Sequence, residues 1–240
     1  MTKKTLLGIF LILLSNHVFA ENFSLGGGGL LGYTFTRYTL KGGDITSNQS
    51  MDRINYAGFL FADATYAEIS IMIQGGSNSY TENMIYDIST MADSAGKGSE
   101  MSLGFSLLGK YPFTVNKKIT WFPLLGIEYQ IAIIQRRQPN GDIIYDRTQG
   151  QLSADRDKDD NPYSLSAWNS FWIDIGAGFD YYITAPLFLR SELLFGFRLP
   201  TGYENGALEV VKNPPMNVQN PKLSGLTGGP SLKISIGYRI

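Results

Sequence analysis

Enzyme chemistry needs nucleophiles, bases or metal ligands, and this chain is short of all three. Its 240 residues include no cysteine and a single histidine, His17. That histidine lies in an N-terminal stretch that reads as an export leader, so the chain that follows has neither residue. Ser-His-Asp and Cys-His arrangements are thereby excluded, together with zinc sites built on those ligands. Two glycine- and acid-rich stretches could still hold a ligand. Asp155, Asp157, Asp159 and Asp160 have part of the spacing of a calcium loop. Two of its requirements fail, because Asp160 stands where the loop needs glycine and Ser166 where it needs glutamate. A solvated loop accounts for these residues, and no metal or cofactor is expected. Gly26 to Gly29 resemble a phosphate cradle only superficially, since no Lys-Ser/Thr pair follows them. A strand whose inward side must stay small explains them better.

The element that organises the chain is its last, Ser231 to Ile240. Leu232, Ile234, Ile236, Tyr238 and Ile240 alternate with Ser231, Lys233, Ser235, Gly237 and Arg239. Unbroken period 2 predicts a strand with one apolar and one polar face. At the other end, Lys3 and Lys4 precede an apolar run from Leu6 to Leu14, and Val18-Phe19-Ala20 offers a cleavage site. Residues 1–20 read as a secretory signal peptide. Removing its two lysines leaves 18 basic residues against 21 acidic, a net charge of about −3 that argues against a nucleic-acid partner. No later segment has the apolar run of a membrane helix.

Between the ends the period-2 pattern recurs. Strands are predicted over 23–38, 54–63, 67–75, 100–110, 119–133, 168–182, 187–199 and 231–240. In the second of these, Ala57, Phe59 and Phe61 are expected on the apolar face. Pro123 cannot donate to a ladder, which places it near the membrane edge or at a bulge. Three short turns, 64–66, 111–118 and 183–186, alternate with four long loops at about 39–53, 76–99, 134–167 and 200–228. An even strand count with alternating short and long connections predicts an all-β fold, an eight-stranded antiparallel up-and-down transmembrane β-barrel filling residues 21–240.

The polar faces decide between a soluble and a membrane barrel. One face of each strand is aliphatic and aromatic. The other carries Glu68, Lys110, Glu128, Asp174, Asp180, Arg190, Glu192, Arg198, Lys233 and Arg239 among glycine and serine. An eight-stranded interior holds little more than one layer of side chains. Lipid therefore takes the apolar face, and the charges, five of each sign, form a lumenal network. The five carboxylates among them neutralise lumenal Lys and Arg and do not act as a hydrolase pair. Aromatics near strand ends fit interface girdles: Tyr33, Phe35, Tyr56, Trp168 and Phe171 at the loop end, and Tyr66, Tyr111, Phe113, Trp121 and Tyr181 at the turn end. The three-residue turn Thr184 to Pro186 sets a register in which Asp180 faces Arg190 on the inner side, predicting an ion pair.

The pattern resembles the small eight-stranded outer-membrane proteins, the group with the OmpA barrel, OmpX and OmpW types. The stretches 59–66, 107–113 and 123–129 are similar to small barrels of spirochaete outer membranes. One departure is that Ile240 stands where that group ends in an aromatic, Tyr238 being the nearest. The resemblance implies location in the bacterial outer membrane, with lipid, periplasmic chaperones and the barrel-assembly machinery as partners. Leu232, Ile234, Ile236, Tyr238 and Ile240 would form the assembly signal. The expected role is non-enzymatic, a rigid barrel whose loops meet the environment or a host ligand. The alternative is an OmpW-like conduit for small, partly hydrophobic solutes.

Overall fold

The computed structural model describes residues 23–43, 45–86, 89–139, 168–201 and 221–240. The proposed leader, the Asp155–Asp160 stretch and most of the segments after 139 and 201 lie outside the described residues. Nine strands are described: β1 (Ser24–Gly42), β2 (Ile45–Ala64), β3 (Ala67–Tyr86), β4 (Ser89–Lys110), β5 (Phe113–Asn116), β6 (Ile119–Pro139), β7 (Ser170–Tyr182), β8 (Leu187–Arg198) and β9 (Lys222–Arg239). All pairings are antiparallel. Eight strands form a ring, β1-β2-β3-β4-β6-β7-β8-β9, closed by β9 on β1. Closure leaves no ladder edge within the barrel wall, which a strand crossing hydrocarbon requires. The ninth strand, β5, is a short flap within the predicted 111–118 turn and pairs with the start of β6.

The predicted turns stand, but two of the predicted loops do not. Residues 39–53 and 76–99 continue the ladders almost to their tips, with Gly42 opposite Ile45 and Tyr86 opposite Ser89. These four strand arms carry no apolar alternation, because beyond the lipid neither face of a strand need be apolar. The wall is therefore uneven. Strands β7 and β8 have 13 and 12 residues, close to what a tilted membrane crossing needs, whereas β1 to β4, β6 and β9 run on at the loop end.

One expectation about facing is overturned. Phe59 and Phe61 point into the barrel, with Ala57 beside them, while Tyr56 and Leu60 face outward. Gly26 and Gly28 on the neighbouring strand make the room. A Cβ on Gly26 would lie 2.4 Å from the Phe61 ring and 2.3 Å from the carbonyl oxygen of Ile236. The small inward side predicted for β1 is thus filled by aromatics from β2.

Pro123 falls where β6 changes partner. Its pairing with β4 ends at Leu124 opposite Lys110, and its pairing with β5 begins at Trp121 opposite Phe113. Pro230 has a similar place, since the β1–β9 ladder skips the positions opposite Gly229 and Pro230 and resumes in register.

Candidate functional site

Inside the barrel, the side chains sort into layers along its axis. Nearest the turn end lies a cluster built on Arg190 of β8. Asp180 stands opposite it on β7. Arg190 donates Nε to Asp180 Oδ1 at 2.7 Å and Nη2 to Asp180 Oδ2 at 2.9 Å. The same guanidinium reaches across the lumen, donating Nη2 to Asp63 Oδ2 at 2.6 Å and Nη1 to Glu68 Oε2. Lys110 Nζ completes the cluster on Asp63 Oδ2 at 2.5 Å. One arginine thus ties β8 to β7, β2 and β3. Planar, multidentate binding of this kind is what a guanidinium does and an ammonium cannot.

Three aromatic rings enclose that arginine. Its Cζ lies 5.0, 5.2 and 5.1 Å from the ring centroids of Phe61, Phe122 and Phe188. Cation–π attraction compensates part of the lost hydration. The inward turn of Phe61 therefore positions the charge as well as filling space. Arg190, Phe122, Phe188, Met72, Leu108, Glu68 and Glu192 are each no more than 2% exposed. With a second cluster of Leu108, Phe122, Leu124 and Leu194, they fill the cross-section.

The ten charges predicted for the lumen do not form a single network. Asp180, Arg190, Glu68 and Lys110 converge, joined by Asp63, which the sequence reading did not assign. Glu192 and Lys233 face each other on β8 and β9, and Lys233 Nζ lies 5.4 Å from the Phe59 ring centroid. Glu128 belongs to an amide group further up, accepting from Gln130 Nε2 at 2.5 Å. Gln130 also donates to Gln74 Oε1 at 2.9 Å. Asp174 is buried on the same inner face, beside Gly196. Arg198 donates to Thr227 Oγ1 at 3.2 Å, and Thr227 to Thr36 at 3.0 Å. Arg239 lies at the turn end, with Nη2 donating to Tyr182 OH at 2.5 Å and its guanidinium 4.9 Å from that ring's centroid. A further pair, Arg53 and Glu100, joins β2 to β4 in the upper lumen. Asp63 and Arg53 lie inside because the two faces of β2 are the reverse of those its apolar pattern predicts. Read with Phe59 inward, the odd residues of β2 place both inside.

These arrangements bind strands together. The Arg190 carboxylates are engaged by cations and shielded from solvent. No three metal-ligating side chains converge among the described residues.

Outside, the pattern is reversed. Leu31, Leu60, Ile69, Ile73, Leu125, Ile175, Leu193 and Ile234 are all more than half exposed. On the same strands the charged side chains of Glu68, Asp174, Asp180, Arg190, Glu192 and Lys233 are buried on the inner side. An apolar outer belt around a charged interior is stable only when lipid surrounds it. The chain is an outer-membrane β-barrel.

The belt has marked edges. At the turn end Tyr66, Tyr111, Phe113 and Trp121 form a continuous row, with successive centroids 5.9, 5.0 and 4.8 Å apart. At the loop end Tyr33 OH donates to Asp52 at 2.7 Å, and Arg37 pairs with the same carboxylate at 2.8 Å. An outward ion pair directly beyond an aromatic is the chemistry of a headgroup boundary. Of the five residues of the expected assembly signal, Leu232, Ile234, Ile236 and Tyr238 face outward on β9, and Ile240, just past that strand, is exposed.

No protein-family model and no curated protein sequence matches the chain. In structure the barrel is similar to Neisserial surface protein A, with 10% identity, a TM-score of 0.35, and coverage of 90% of this chain and 99% of that one. It is similar also to the outer membrane protein OprG of Pseudomonas aeruginosa, with 11% identity, a TM-score of 0.38, and coverage of 92% and 96%. A third is Ail, the attachment invasion locus protein of Yersinia pestis, with 10% identity, a TM-score of 0.29, and coverage of 92% and 100%. At these scores the likeness is one of general architecture, and the reading of this barrel rests on its own geometry.

Proposed function

We propose that this barrel is a non-enzymatic surface protein whose loop-end strand arms present a binding face to the environment or a host. The observation that supports this reading is the filled lumen combined with the uneven wall. A solute path through the barrel would have to displace Arg190 from three carboxylates and three rings. A free space in the upper lumen is only about 40 Å³, lined by polar groups including Arg53, Gln74 and Glu128. That counts against the conduit role that an OmpW-like barrel suggests. The arms, by contrast, rise beyond the lipid belt as paired strands, a stiff platform for recognition. On the same reading, β9 with its outward row serves as the segment that the assembly machinery engages.

Two measurements on the folded protein test this. In planar bilayers no steady conductance above leak is expected. Cells displaying the protein should bind host matrix or a surface ligand, and shortening the β1–β2 and β3–β4 arms should abolish that binding. Steady conductance, or binding indifferent to arm removal, would overturn the proposal.

A further inference from the structure

The other end of the barrel holds a feature that loop display does not use. A cavity of about 670 Å³ opens at the turn end, bounded by the β5 flap, Thr65 and the 183–185 turn. Its lining includes four cations, Lys110, Lys117, Lys118 and Arg239, and two acids, Asp63 and Asp180. The acids are already committed, Asp180 to Arg190 and Asp63 to both Arg190 and Lys110. Among the described residues, no carboxylate lies within ion-pair distance of Lys117, Lys118 or Arg239. The Nε of Arg239 is buried and has no hydrogen-bond partner there. Hydroxyl and amide groups of Ser24, Thr114, Asn116, Thr120 and Tyr182 complete the wall. The floor is the sealed Arg190 layer, reached at Phe122.

A concave, hydroxyl-lined space of this size, with three cations that lack a carboxylate partner among the described residues and a closed floor, has the chemistry of a small-molecule site for an anion. We propose that this vestibule binds a soluble organic or inorganic oxyanion of two or more charges, a phosphate or carboxylate compound. Lys117 and Lys118 capture it at the rim, and Arg239 holds it within. Lys110 adds field without giving up Asp63. Short connections of such barrels face the periplasm, so the ligand would come from that compartment. Binding would not open a path through the barrel, because the floor is built from buried side chains.

The test uses the folded barrel in detergent, titrated calorimetrically with inorganic pyrophosphate and, separately, with citrate. At least one should bind saturably with a Kd below about 1 mM. The Lys117→Glu/Lys118→Glu double variant should weaken it by roughly tenfold or more, as expected for rim charges reversed against an anion. These side chains are exposed in the flap, so the variant should fold like the parent. Arg37→Gln, at the loop end, should leave binding unchanged. A response to pyrophosphate alone assigns phosphate chemistry, and a response to citrate alone assigns carboxylate chemistry. No saturable binding of either probe, or equal binding by the double variant, would overturn the site. Neither outcome bears on the loop-end proposal, whose readouts are at the opposite end.

Discussion

Asp180 and Arg190 face each other across the β7–β8 pair, and Arg190 grips both oxygens of that carboxylate while reaching Asp63 and Glu68 on the far wall. The arrangement is asymmetric. Removing Asp180 leaves the guanidinium two other anions, whereas removing Arg190 strands Asp180 and Glu68 and leaves Asp63 only Lys110. Arg190→Gln should therefore cost roughly 3–5 kcal/mol, and Asp180→Asn distinctly less. A double-mutant cycle by urea unfolding in lipid should give a coupling of about 1–3 kcal/mol between them. Additive effects would remove the pair from any account of stability.

That contact was legible in the sequence because a short turn transmits register. With Thr184 to Pro186 as the turn, the alternation on β7 and β8 fits only one pairing, which the structure repeats at Tyr181–Leu189, Ile175–Phe195 and Ile173–Phe197. Strands with one plainly apolar face, β6 to β9, were legible for the same reason. β2 was not, because its two faces carry similar side chains, Tyr56 and Leu60 against Phe59 and Phe61. The aromatic pair looked like the lipid face, and the exchange hid Asp63, the residue that joins Lys110 to Arg190. The loop-end arms were illegible on different grounds. Outside the membrane no lipid imposes alternation, so 39–53 and 76–99 lose the period that marks a strand although they keep its hydrogen bonds.

The outer belt predicts a depth dependence. Ile175 is 54% exposed in the middle of β7. Ile175→Arg should destabilise the barrel by roughly 2–4 kcal/mol in lipid. Val115 is 62% exposed on the β5 flap beyond the belt, and Val115→Arg should cost about 0–1 kcal/mol. Unfolding titrations in lipid vesicles measure both. Equal costs at the two positions would contradict the placement of the belt.

Two glycines separate packing from propensity. A Cβ on Gly176 would stand 2.1 Å from the backbone oxygen of Leu193 and 2.9 Å from Leu194 Cα, atoms of the paired strand that cannot swing away. On Gly58, facing outward, it would meet nothing within 4 Å. Gly176→Ala should destabilise by about 1–3 kcal/mol through forced backbone movement, while Gly58→Ala should stay within roughly 0.5 kcal/mol of the parent. The same unfolding titration reads both, and a neutral Gly176→Ala would show that β7 and β8 can part at that level.

Orientation is open to direct labelling, because the chain has no cysteine of its own to compete. Ser79 lies on β3 beyond the belt and is exposed; Thr65 and Ala185 lie in the short turns. The positions 157 and 217, expected from the sequence to be reachable in the same way, lie outside the described residues. With short turns facing the periplasm, Ser79→Cys should react with a membrane-impermeant maleimide on intact cells. Ala185→Cys and Thr65→Cys should react only once the outer membrane is opened. Both turn positions line the anion vestibule, and Ala185 is exposed in the β7–β8 turn. After permeabilisation, millimolar pyrophosphate or citrate should slow its labelling if the vestibule is occupied, and leave Ser79→Cys labelling unaffected. Reaction of Ala185→Cys on intact cells, with Ser79→Cys protected, would invert the barrel and move the vestibule to the cell surface.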